Sequence, residues 1–239
     1  MTNRFSTSRS FLLVLLLGWT TVMSAQQAPK SFNIGFVSPN TRTDLKLEDA
    51  IKAMNSAEEV RLRAKAINLG CVVRSRIRAF KALGSWSDGA EHSVMLRVKS
   101  DEATLRYVLS RMGRDAQQKY VIYFHPRPRG SADLYTLRLR RTPNFLALAN
   151  TLERAGIPFR TLVRAGRTTA VYIIDLDRDL RQKILTAARR LRARVSHEAG
   201  NAALFGDDER EKAKTIFEQE IKNYEMKNPN LPPACDVKK

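Results

Sequence analysis

Three histidines, two cysteines and 42 Lys+Arg set against 24 Asp+Glu supply whatever chemistry this 239-residue chain can perform. Two of the histidines adjoin an acid, as Glu91-His92 and His197-Glu198. A histidine beside a carboxylate is the simplest general acid–base pair of a hydrolase. The spacing takes the idea no further. A zinc-protease helix needs H-E-x-x-H, but the chain reads His197-Glu198-Ala199-Gly200-Asn201 and lacks the second ligand. Two-histidine phosphoesterases need two H-x-[ST] motifs, and the residues after His92, His125 and His197 all fail that pattern. Asp175, Asp177 and Asp179 are spaced like the opening of a calcium loop, yet Leu180 and Thr186 stand where Gly and Glu are required. Their place before a helix makes capping the expected job. Ser85, Ser87, Asp88 and His92 gather nucleophile and base types in one loop without a G-x-S-x-G elbow. No catalytic residue, metal ligand or cofactor is assigned from these patterns.

The arginines carry more information. The formal net charge is +18, and it sits in the centre of the chain. Residues 60–199 hold 29 Lys+Arg against 11 Asp+Glu, and 24 of those bases are Arg. The flanks, 26–59 and 200–239, are each slightly acidic. A compositional bias toward Arg would act everywhere, whereas 200–239 has six Lys and one Arg. Arginine presents a planar fork that grips phosphate, sulfate or carboxylate through two hydrogen bonds. Arg74, Arg76 and Arg78 alternate with apolar residues along 71–83, and Arg138 and Arg140 do so along 134–141. On strands, that period places each set on one face. The five are the candidate binding residues, and the expected partner is an anionic polymer or an acidic protein surface. LYTLRLRR does not fit the aromatic pattern of RNA-recognition strands and VMLRV has no aromatic, so sequence-specific nucleic-acid recognition is not expected.

The N-terminus states a destination. Arg4 and Arg9 precede an apolar run from Phe11 to Met23, and Ser24, Ala25 and Ala28 follow it. These are the three regions of a secretory signal peptide, over residues 1–25. The run is shorter than the roughly 20 residues of a spanning helix, and no later stretch approaches that length. The expected location is therefore secreted or periplasmic, with no stable membrane span after cleavage. Export makes a bridge between Cys71 and Cys235 the natural reading of the two cysteines.

The elements that must hold these side chains follow from periodicity. Residues 26–70 form an irregular lead and one helix over 46–68. Strands are expected at 71–83, 94–98, 119–125, 134–141, 159–163, 170–175, 194–198 and 202–205. Helices are expected at 101–116, after Pro143, at 178–193 and at 207–226. The helix pattern Leu105, Val108, Leu109, Met112 recurs as Ile184, Ala187, Ala188, Leu191. This is an internal αββ repeat carried by element order and helix period, with little residue identity between copies. The fold class is α+β, with antiparallel sheets carrying helices on one face, as two tandem ferredoxin-like modules over 71–165 and 166–227. A Pro-rich tail, 228–239, closes the chain. The functional expectation is an exported, Arg-rich, non-enzymatic binding or interaction protein. An exported hydrolase of an anionic substrate using the His/acid pairs is the alternative, and a structural component of an envelope or secreted assembly is a further one.

Overall fold

The computed structural model describes residues 32–39, 49–50, 56–86, 89–140, 145–164 and 167–232. Eight strands lie among them: β1 (Asn33–Val37), β2 (Ile77–Trp86), β3 (Gly89–Val98), β4 (Tyr120–Pro126), β5 (Ala132–Leu139), β6 (Phe159–Arg164), β7 (Arg167–Asp175) and β8 (Ala193–Gly206). The helices are α1 (Ala57–Val72), α2 (Glu102–Asp115), α3 (Phe145–Glu153), α4 (Arg181–Arg190) and α5 (Arg210–Lys227). Every strand pairing is antiparallel, and the order β1-β3-β2-β6-β7-β5-β8-β4 closes on itself because β4 also pairs with β1. The molecule is a closed eight-stranded barrel with helices outside it. Open antiparallel sheets with helices on one face, arranged as two ferredoxin-like modules, are thereby ruled out.

Two strands account for the closure. β1 falls in the segment expected to be irregular, where Asn33-Ile34-Gly35 disguises the pattern. All five of its residues are buried, and it bridges β3 and β4 (Ile34 opposite Arg97 on one side and Phe124 on the other). β8 was expected as two short strands broken at Gly200-Asn201, but it runs unbroken for 14 residues. Its first half pairs with β5 and its second half with β4, so one strand welds the two halves of the chain. Gly200 marks the junction. A β-carbon there would lie 2.4 Å from the His125 carbonyl oxygen, and one on Gly130 would lie 1.9 Å from the Gly200 backbone. Glycine is present to allow this close approach and does not end the strand.

The two halves of the ring have matching strand order. The first four strands are ordered β4-β1-β3-β2 and the last four β8-β5-β7-β6. Each half therefore has the same connectivity, beginning at β1 and at β5. A boundary at 165/166 would cut between β6 and β7, which pair directly. The helices with matching patterns, α2 and α4, occupy equivalent places after β3 and β7.

Period-two alternation sorts the strand residues. Val94, Leu96 and Val98 face outward against Leu105 and Leu109 of α2, Leu62 of α1 and Phe217 of α5. Leu137, Val171 and Ile173 face outward against Leu148 and Leu152 of α3 and Ile184 of α4. The third cluster, including Ile34, Phe36, Met95, Phe124, Leu134 and Tyr172, draws only on strands and fills the lumen. Helix starts are capped as polar residues at those positions allow: Ser56 Oγ accepts from the Glu59 amide at 3.2 Å, and an Asp101 carboxylate oxygen accepts from the Thr104 amide at 2.7 Å. α1 runs to Val72, so Cys71 sits in its last turn, not on the strand expected from residue 71. No helix among the described residues is long and apolar enough to cross a membrane.

Candidate functional site

In a closed antiparallel ring, strand starts and strand ends alternate around each rim. The start of β2, the end of β3, the end of β5 and the start of β8 therefore point to the same end of the barrel. Arginines accumulate there. Arg78 shares the lumenal side of β2 with Phe80 and Ala82 and stands opposite Arg97 of β3. Arg138 shares the lumenal side of β5 with Leu134 and stands opposite Arg194 of β8. Arg76 and Arg140 lie one residue beyond their strands, and the Lys99 amide donates to the Arg76 carbonyl at 3.3 Å to extend the ladder. Arg74 is not on a strand. It occupies the α1–β2 turn with φ of 49°, a left-handed conformation.

The five arginines singled out from sequence thus reach one end of the molecule, with Arg97 and Arg194 added. The helix-free side of the sheet is the inside of a barrel, so these residues surround an opening and do not tile a flat face. All except Arg97 are exposed, and Arg97 is half-buried. None of the seven has a carboxylate partner among the described residues. Several arginines elsewhere are paired: Arg106 with Glu220, Arg111 with Glu225, Arg114 with Asp115, and Arg178 with Asp133. Glu198 is the one acid at an inward position of β5 or β8. Burial raises its pKa above the usual carboxylate range, with the neighbouring His197 opposing.

Arg97 and Arg160 extend into the lumen. Arg97 reaches from β3 to β7, donating to the Tyr172 hydroxyl, although β2 and β6 separate these strands in the ring. Its guanidinium carbon lies 5.5 Å from the Phe80 ring centroid and 5.9 Å from that of Tyr172, within cation–π range. Deeper, Arg160 stacks on Phe36 at 4.9 Å and faces Glu91 at 3.6 Å. Phe80, Leu162, Thr136 and Glu198 are half-buried, whereas Phe36, Met95 and Phe124 are fully buried. Among the described residues, the lumen is partly exposed at the arginine end and fully buried below it.

The histidines are dispersed. Strand alternation sends Glu91 inward and His92 outward, so this adjacent pair cannot act together. His92 is fully buried, both ring nitrogens lack a hydrogen bond, and burial with the nearby Lys81 and Arg63 charges pushes its pKa down to about 4. His197 likewise turns away from Glu198 and meets Asp133 at 3.0 Å. His125 Nδ1 lies 2.6 Å from Asn33 Oδ1. Because Asn33 spends its amide protons on the Ser100 and Asp101 carbonyls, its oxygen must accept, and His125 Nδ1 carries the proton. His125 stands opposite Asn201, four residues along β8 from His197, about 13 Å at strand rise. Glu102 is the acid nearest His125. Burial would raise its pKa, but hydrogen bonds from Tyr123 and Asn201 and the His125 and Arg127 charges outweigh this and hold it below the usual range. Asp175 caps the turn into α4, accepting from the Leu180 amide at 3.1 Å, as the aspartate run suggests. Among the described residues no cluster of three metal-ligating side chains exists. Cys71 is exposed, and no described cysteine is free; Cys235, Ser87 and Asp88 lie outside the described residues.

Sequence reasoning missed Arg97, Arg194 and Tyr172. The alternation of Arg97 and Arg194 with apolar neighbours was visible in VMLRV and ARVS, but only the closed ring brings them to the same end as Arg78 and Arg138. No protein-family model matches the chain, no curated protein matches it in sequence, and no solved structure matches its fold.

Proposed function

We propose that this is a non-enzymatic binding protein that holds phosphate- or sulfate-bearing polymers at the arginine end of its barrel, in a secreted or periplasmic setting. One observation carries the reading: among the described residues, seven arginines gather at one end of the barrel without carboxylate partners, whereas Arg63, Arg106, Arg111 and Arg114 on the helices pair with Glu59, Glu220, Glu225 and Asp115. Unpaired cations held together repel one another, and a polyanion relieves that repulsion while releasing its own counterions. Heparin or polyphosphate binding should weaken steeply as salt rises. Replacing Arg138 and Arg140 by Gln should flatten the log–log salt slope by roughly two units if each meets one phosphate. Unchanged affinity and slope in a folded double variant would refute the reading.

The exported setting goes with the leader-like residues 1–25 and with a Cys71–Cys235 bridge. Residues 228–232 run back beside the end of α1, where Asn228, Leu231 and Pro232 border the same cleft as Val72. The tail is then three residues short of Cys235 and adjacent to Cys71, which favours the bridge.

Hydrolysis of an anionic substrate is a second reading with one observation in its favour. The Asn33 contact leaves His125 Nε2 as the basic nitrogen, on the same face as Glu102 and Tyr123. Turnover of phosphodiester or sulfate-ester model substrates, lost in His125→Asn, would support it over binding alone.

A further inference from the structure

We infer that the arginine opening takes the end of an anionic chain, with one terminal phosphate or sulfate seated on Arg97 inside the lumen. This rests on the polyanion reading and adds a binding mode to it. A strip of arginines on an open sheet would grip a polymer along its side, so affinity would grow with every residue in contact. Here Arg78, Arg138 and Arg194 are set around a rim, on lumenal positions of β2, β5 and β8. Arg97 lies inside that rim.

Arg97 has the features of a receptor for a single anionic group. Its guanidinium is held between the Phe80 and Tyr172 rings and oriented by the Tyr172 hydroxyl, so the fork is fixed before any ligand arrives. One contact to a hydroxyl leaves most of its five donors unused. A half-buried cation with no acid partner is costly, and an entering tetrahedral oxyanion would supply the missing charge and a two-pronged acceptor. Arg78, its register partner on β2, is placed to neutralise the next group of the chain. The apolar layer of Met95, Phe36 and Phe124 below gives a charged chain no route through the barrel, so only an end can enter.

Inorganic polyphosphates of defined length, from tripolyphosphate to chains of about a hundred units, provide the probe. End-on binding requires a limit of two proteins per chain whatever its length, and tripolyphosphate should compete with the long chains. Arg97→Gln should weaken tripolyphosphate by about 10- to 100-fold, the size of a lost charged hydrogen-bond pair. Arg97→Lys should recover only part of this, because charge returns without the fork. Tyr172→Phe, which deletes only the orienting hydroxyl, should weaken tripolyphosphate in a fully folded protein and so separates binding from stability. Proteins per chain rising in proportion to length, with Arg97→Gln and Tyr172→Phe binding unchanged, would overturn the end-on mode while leaving side-on polyanion binding intact. Failure to bind polyphosphate of any length would overturn both.

Discussion

Glu91 and Arg160 are each 6% exposed and face each other at 3.6 Å inside the barrel. Glu91→Gln removes a buried charge that faces Arg160, and should destabilise by about 3–5 kcal/mol in urea unfolding. The paired replacement Glu91→Leu/Arg160→Met should cost less than the single change, because it removes both charges of the buried pair together. His92 makes a different demand. Its pKa of about 4 in the fold lies below its ordinary 6.5, so the unfolded chain binds the proton more readily. Stability should be unaffected above pH 6.5, fall as the pH drops from 6.5 to 4, and level off having lost about 3 kcal/mol. His92→Leu should flatten that segment of the pH–stability curve relative to the parent protein. Identical curves would mean that the ring finds a proton acceptor in the fold.

At the level of elements, β8 decides the architecture. Gly200 is where β4, β5 and β8 crowd together, and any β-carbon must displace the His125 carbonyl or the Phe124 ring. Gly200→Ala should cost about 1–3 kcal/mol through forced backbone movement. Ser196→Ala on the same strand, at an exposed position, should stay within about 0.5 kcal/mol. Equal effects from the two substitutions would show that the junction tolerates more space than the register implies. β1 is the complementary case. Five buried residues beside Pro, Asn and Thr give too short a run to stand out, yet without them β3 and β4 would both be edges.

For the whole molecule, the charge distribution and the two cysteines set the expectations. Cys71 and Cys235 lie 164 residues apart, so a bridge would stabilise by at most about 5 kcal/mol through the unfolded chain. Non-reducing peptide mapping of exported protein should recover the Cys71–Cys235 peptide pair, and two free thiols would exclude the bridge. N-terminal sequencing should begin between Ala25 and Pro29. A start at Met1 or Thr2 would remove the exported setting and, with it, the reason to expect an oxidised pair.

Local periodicity determined most of the elements. α2 is delimited by an Asp101 cap and a four-residue apolar stripe, and β4 by an apolar run ending at proline, so both were legible within a residue or two. The alternation of Arg78, Arg138 and Arg140 with apolar neighbours likewise fixed which side of each strand is cationic. Whether that side would be an open face or an enclosed one was not encoded locally. It depended on β1 filling a gap between β3 and β4, and on β8 continuing through Gly200 to pair with strands from both halves. Pairings between residues as distant as Ile34 and Phe124 or Tyr120 and Gly206 leave no periodic trace in either segment. The seven arginines were written in the sequence, whereas ring closure, a property of register among eight strands, turned them into a single opening.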